Sequence, residues 1–320
     1  MRSAVLALLV LLPTLAHAQA WTPKAGEGYA KLAYGQTTAD ERFDRDGTLV
    51  PYDDRLGDAD FRSRGAFLYA EYGLRDWLTA VALLPYQAAD VDAAGLRVRE
   101  VSGLGTANLG LRLRLRPPFV KGHPNRAFAL NLTAGLPLGY DRNADPALGG
   151  GQLDFTGLFA FGQSFYPAPA YLQAGLGYRL RTASFGLSGA LDCLTADGET
   201  AGATESGEAC ITDEAARRDF ADEVVARFEV GYTLGEVVLV QGLLDSAWAT
   251  RSPEVDPLVD EIDQQEANLR FDGQRYVRAG VGLTLTVWRE VGVGVQVFAT
   301  PIGQQTLRAT DVFFSVETRF

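Results

Sequence analysis

The sequence predicts an all-β fold, a transmembrane antiparallel β-barrel of about twelve strands in an up-and-down meander. Three observations carry that expectation. Side-chain polarity alternates with a period of two through most of the chain, whereas helical periodicity is almost absent. Short connections interleave with long ones, as they do when tight turns gather at one end of a barrel and longer loops at the other. The chain ends in a strand with one apolar parity and a terminal aromatic, and a barrel needs such a strand to pair with its first so that no edge is left open.

Residues 1–18 have the pattern of a secretory signal peptide: Arg2, an apolar run from Ala4 to Leu12, then Ala16-His17-Ala18. Cleavage is expected after Ala18, with 19–320 as the barrel. The apolar run is too short for a helical span, and no later run reaches the ~20 apolar residues one requires. A membrane would have to be crossed with strands. No linker or break in composition divides the mature chain, so one large closed sheet is the simplest arrangement.

The period-two template places strands near 27–36, 62–73, 77–87, 103–115, 126–137, 152–164, 171–182, 222–234, 236–248, 274–288, 291–301 and 307–320, each near or above the ~9–11 residues that cross a bilayer at a tilt. Leu109, Leu111, Leu113 and Leu115 interleave with Gly110, Arg112 and Arg114; Val291, Val293, Val295 and Val297 alternate with small or polar residues. Segment 77–87 is ambiguous, with Leu and Val on both parities. Many of the 35 glycines lie inside these segments, where they mark bends and close approach in curved sheets.

Short connections (74–76, 117–125, 166–170, 235–236, 289–290) alternate with long ones (37–61, 88–102, 138–151, 183–221, 249–273); the 303–306 loop is the exception. Tyr72, Trp77, Phe165, Tyr166, Tyr171, Tyr232, Trp288 and Phe320 cluster beside the short turns, where an interfacial girdle is expected. The last stretch, with Phe314, Val316 and Phe320 on one parity, resembles the carboxy-terminal assembly signal of bacterial outer-membrane proteins. That resemblance implies the bacterial outer membrane as location and the barrel-assembly machinery as a partner.

The formal charge of −11 becomes −12 once the single positive charge of Arg2 leaves with the signal peptide, and the acidic residues concentrate in the long loops. Such loops disfavour nucleic acid, which calls for a basic patch. They suit a solvated exterior or contact with outer-membrane lipid and lipopolysaccharide. The fragment Asp44-Arg45-Asp46-Gly47 lacks the remaining ligands of a calcium loop, so neither metal nor cofactor is expected. Cys193 and Cys210, the only cysteines, share one long loop in a chain addressed to an oxidising compartment, and a disulfide is the default. His123 is the one histidine of the mature chain and falls in a Pro-rich short turn, which leaves a hydrolase without its usual general base; the chain is not expected to be an enzyme.

The charged residues within strands must face inward, because Arg or Lys on the lipid face costs ~2–4 kcal/mol each. The inferred lumen carries Lys31, Glu71, Arg112, Arg114, Asp154, Arg179, Arg181, Arg227, Glu229, Arg278, Asp311, Glu317 and Arg319, with Tyr69, Gln173, Tyr276, Gln296 and Phe298 among them. Two outcomes stay open: a packed network of ion pairs that closes the bore, or a wet path lined by arginine that favours anions.

The mature start Trp21–Gly28, the segments Leu68–Leu74 and Leu84-Pro85-Tyr86, and Ser102-Gly103-Leu104-Gly105 leading into Asn108–Arg112 resemble one family. It is the family of outer-membrane transporters associated with the meta-cleavage pathway of phenol degradation, and within it the XagA-like subset. The resemblance covers mainly the first 180 residues. It implies passage of hydrophobic or aromatic compounds, and the subset implies a link to surface polysaccharide or biofilm; neither brings a site motif. The expectation is a monomeric barrel that passes small solutes passively, with a structural or surface-interaction barrel of closed lumen as the alternative.

Overall fold

A computed structural model describes residues 20–52, 59–116, 125–140, 148–149, 151–182, 220–235, 237–251 and 273–320. Residues 1–18, expected to be a signal peptide, and Cys193, Cys210 and His123 lie outside the described residues. In chain order the strands are β1 (Gly28–Ala39), β2 (Glu41–Phe43), β3 (Leu49–Pro51), β4 (Ala59–Arg75), β5 (Leu78–Ala93), β6 (Leu96–Leu104), β7 (Thr106–Leu115) and β8 (Arg126–Pro137). They continue with β9 (Asp154–Ser164), β10 (Ala170–Arg181), β11 (Glu223–Leu234), β12 (Val238–Ala249), β13 (Arg275–Trp288), β14 (Val291–Gln304), β15 (Thr306–Leu307) and β16 (Thr310–Arg319).

The main sheet has thirteen strands; β6 stands outside the ring, which leaves twelve that close on themselves. Each ring strand is antiparallel to its neighbours in sequence. Closure is made by β1 against β16, in register from Tyr29–Arg319 to Thr38–Thr310, and is finished by reciprocal bonds between Gly28 and Phe320 at 2.7 and 3.0 Å. A complete ring leaves no backbone donor or acceptor on an open edge, the condition a β-structure must meet in hydrocarbon.

The wall is inside-out relative to a soluble core. On β7, Leu111 is 44% exposed on the outer face while its neighbour Arg112 is 3% exposed on the inner one. The same reversal recurs at Val224 beside Glu223 and at Phe314 beside Ser315. Because side chains alternate across a strand, each of these choices fixes the face of the whole strand.

Three sequence expectations are corrected. The segment 88–102 is no loop: β5 runs on to Ala93, turns through Ala94 and Gly95 with positive φ at both, and returns as β6. That is the geometry of a two-residue primed hairpin, whose twist matches the strands it joins. The outward Asp90 and Asp92 on this extension disguised it as a solvated loop. Tyr171 is not part of the girdle; it shares the inward parity of Gln173 and lies buried inside the ring. The connection after β14 is also more than a short link, since β15 joins β2 and β3 in a small three-stranded sheet at the long-loop end.

Candidate functional site

The segment that precedes β1 occupies the short-turn end of the bore that the ring encloses. Glu27 and Gly26 pair with Gly73 of β4, and the Lys24 carbonyl lies so close to Gly73 that a Cβ there would stand 2.0 Å from it. From this anchor the chain crosses the bore to the opposite wall. The Trp21 carbonyl accepts a bond from Arg112 at 3.0 Å, and the Ala20 amide donates to Gln173 at 3.3 Å.

The inner face there is cut back to receive it. Ala20 sits in one buried apolar cluster with Ala127, Leu158, Ala160, Val225 and Ala247, against which Trp21 and Tyr276 pack. The Trp21 indole meets the Tyr171 ring edge-to-face at 6.2 Å between centroids and covers Gly162, where a Cβ would come within 2.6 Å of it. Small inward residues on adjacent strands therefore leave a recess that one large ring fills.

Arg112 is the centre of the tier that holds this segment. It makes a bidentate pair with Glu71 at 2.8 and 2.9 Å and donates from Nε to Asn131 at 2.8 Å, so its planar fork is nearly fully used. Tyr69 donates to the same Glu71, and Tyr29 donates to Glu317 at 2.8 Å. Across the bore Tyr171 and Gln241 both donate to Glu229, the glutamine at 2.8 Å. Lys31, buried between these groups, donates to Gln296 at 3.4 Å. Removing either partner of Arg112–Glu71 would strand a buried charge, which costs about 3–5 kcal/mol.

Above this tier, towards the long loops, lies an aromatic arc that sequence reading found only in part. Phe67, Phe313 and Phe298 meet edge-to-face at 5.8 and 6.2 Å between centroids. Phe67 and Phe313 touch across the intervening β1 because Gly35 has no side chain; a Cβ there would stand 2.5 Å from Phe313. The signal available was Phe67 and Phe313 on charged parities of their strands, opposite a glycine.

A second charged tier sits beyond the arc. Arg278 donates to Asp245 at 2.9 Å and Asp311 at 3.4 Å, lies over the Phe298 ring at 4.6 Å, and leaves Asp245 to Arg227 at 3.7 Å. Thr37 donates to Asp311 at 2.6 Å. Nearer the rim, Arg179 and Arg181 share Glu223 at 2.7 and 2.9 Å, and Arg181 also faces Asp154 at 3.5 Å. With a carboxylate within 4 Å of Arg112, Arg179, Arg181, Arg227 and Arg278, the positive field expected of an arginine-lined lumen is largely cancelled. Arg114 stands apart, exposed at the short-turn rim. Of the assembly-signal residues, Phe314 and Val316 face outward, while the Phe320 ring covers Gly28 beside the closing seam.

Neither a protein-family model nor a curated protein sequence matches the chain. Among solved structures, an outer membrane channel from Pseudomonas putida F1 is similar with a TM-score of 0.68 at 15% identity, over 95% of this chain and 99% of that one. The KdgM porin is similar at a TM-score of 0.46 and 6% identity, over 91% of this chain and 99% of its own. A monoaromatic hydrocarbon channel, CymD, follows at 0.40 and 9%, over 93% and 88% of the two chains. At these identities the likeness to the Pseudomonas channel establishes one thing: this chain has the closed twelve-stranded antiparallel barrel fold.

Proposed function

We propose that the chain is a bacterial outer-membrane channel for small solutes, held closed by its own amino-terminal segment. The observation that carries this reading is the stretch from Ala20 to Gly26, which lies across the bore and is held largely through its backbone by Arg112, Gln173 and Gly73. A barrel that served only as a rigid shell would fill that recess with wall side chains. Here the wall is cut back to alanine and glycine, and the filling is a separable strap.

The apolar outer face supports a membrane setting, and the fold is shared with a protein described as an outer membrane channel. The arc of Phe67, Phe313 and Phe298 beside the Arg278 tier would suit small amphiphilic or aromatic solutes, which need an apolar face and a polar one. The resemblance to transporters associated with phenol degradation points the same way. The opposing reading, a structural barrel with a closed lumen and a surface role, draws on the nearly complete pairing of lumen charges.

One experiment separates the two readings. Chain beginning at Glu27, refolded in detergent and placed in planar bilayers, should give discrete openings where the chain that keeps Ala20–Gly26 is nearly silent. If both stay silent across salts and voltages, the channel reading fails and the structural one stands.

A further inference from the structure

The extension formed by the outer ends of β4 and β5 with β6 is a wall with two unlike faces. Its inner face carries an apolar cluster in which Ala59, Val91 and Ala93 pack with Tyr52, Phe61 and Leu307. Its outer face continues the lipid-facing parity of the barrel, and the register shows how that face changes along the strands. Ala66, Tyr86 and Leu104 form one row, followed by Arg64, Ala88 and Ser102, then Arg62, Asp90 and Glu100, then Asp60, Asp92 and Arg97. Successive rows are about 6.6 Å apart along the strands, so the first arginine stands one step beyond the apolar belt.

The three arginines are held yet open. Arg64 donates to Asp90 at 3.1 Å, Arg62 faces Asp92 at 3.3 Å, and Arg97 pairs with Glu100 at 3.2 Å, while their side chains remain 46%, 47% and 45% exposed. Asp90, at 3%, is sunk beneath Arg64 and Arg97 and acts as their support. The charge nearest the belt is Arg64 alone; the exposed carboxylates lie further out. On the neighbouring strands in this direction the outward residues next in register are uncharged: Thr38 on β1, opposite Arg62, then Thr310 on β16 and Ala299 on β14.

We infer that this outer face binds the phosphates of the glycolipid in the outer leaflet, the lipid A part of lipopolysaccharide. The inference rests on the membrane reading above. Its chemistry is that of the Arg64 and Arg62 guanidinium forks, which keep nitrogens that face no carboxylate, presented at headgroup depth to a phosphomonoester, with Arg97, whose three nitrogens each face a carboxylate, beside them. The acyl chains would then lie on the row of Ala66, Tyr86 and Leu104 below.

The test is titration of the detergent-purified full chain with bis-phosphorylated lipid A, read by native mass spectrometry at fixed magnesium. Saturable binding is expected, weakened on the order of tenfold in the Arg62→Gln/Arg64→Gln/Arg97→Gln variant and for lipid A stripped of both phosphates. Inorganic phosphate should compete only at far higher concentration. Unchanged affinity in the triple variant, or for the stripped lipid, would overturn the assignment. Because three changes could disturb folding, Arg64→Gln alone should give part of the loss, and Asp60→Asn/Asp92→Asn should bind as well or better; weaker binding by that pair would also overturn it. Outer-membrane partition and the conductance of the Glu27-start chain are read on the same triple variant. If they hold while lipid binding is unaltered, the docking site alone is wrong and the channel reading survives.

Discussion

The two halves of the bore are narrowed by different groups. At the short-turn end, Arg112 and Gln173 spend donors and acceptors on the backbone of the amino-terminal strap, and Trp21 occupies a recess that Ala160 and Gly162 leave empty. At the long-loop end, the narrowing groups belong to the wall: Arg278 ties β13 to β12 and β16, and Arg179 and Arg181 tie β10 to β11. Removing a strap that the ring does not need for its hydrogen bonds should leave the ring intact. Removing a wall ion pair should weaken the ring and change passage little.

The contrast can be broken most forcefully at the strap. The Glu27-start chain is expected to lose almost all of the closure with no loss of heat-resistant migration in gels; a barrel that no longer refolds would mean that the strap is structural. Trp21→Ala removes the one large ring in the recess, a change that costs about 3–5 kcal/mol in a packed interior. Here that cost should fall on docking of the strap, so frequent openings are expected in bilayer recordings while the urea midpoint of the barrel stays put.

Groups that tie wall strands to one another should lower barrel stability when broken, and Arg112 is one of them as well as a holder of the strap. Arg112→Leu leaves Glu71 buried and unpaired and is expected to lower barrel stability by about 3–5 kcal/mol, whereas Arg112→Leu/Glu71→Leu should recover most of it in urea titrations. If the double variant is as unstable as the single one, Arg112 matters through Trp21 and Asn131 rather than through the ion pair. At the aromatic arc, Gly35→Leu drives a side chain into Phe313 and Phe67, an overpacking cost of about 1–3 kcal/mol. It should reduce uptake of aromatic solutes by liposomes made with the Glu27-start chain. The smallest effect belongs to the surface: Arg308 and Glu41 pair on the long-loop exterior, and Glu41→Gln should shift the midpoint by no more than about 1 kcal/mol.

Most of the ring was legible because a barrel strand carries its instructions locally. Leu109, Leu111 and Leu113 against Arg112 specify both a strand and its outward face, and the same holds for Val224 to Tyr232 against Arg227 and Glu229. What escaped had no local period. The strap from Ala20 to Gly26 is irregular, and its place is set by a recess on β8 to β12 that exists only once the ring has closed. Its trace in the sequence is a run of small residues on inward parities, Ala127, Ala160, Gly162, Gly175 and Ala247, which reads as ordinary glycine-rich strand until something must fill the space. Tyr171 was misplaced for a related reason: proximity to a short turn predicts a girdle, but its parity with Gln173 sends it inward to Glu229. The pairing of lumen arginines was equally hidden, since Arg112 and Glu71, on β7 and β4, meet across the intervening β5.

The strap can be fixed in place and then released. In a chain with Cys193 and Cys210 replaced by serine, Ala20→Cys and Gly162→Cys put two thiols where a Cβ on Gly162 would lie 2.9 Å from that of Ala20, close enough for a disulfide once the Trp21 indole, 2.6 Å from the same position, moves aside. Bilayer recordings should find the oxidised protein silent and the reduced protein opening intermittently, with the change reversed on reoxidation. Failure of the two cysteines to cross-link, or equal conductance before and after reduction, would contradict closure of the bore by the chain's own amino terminus.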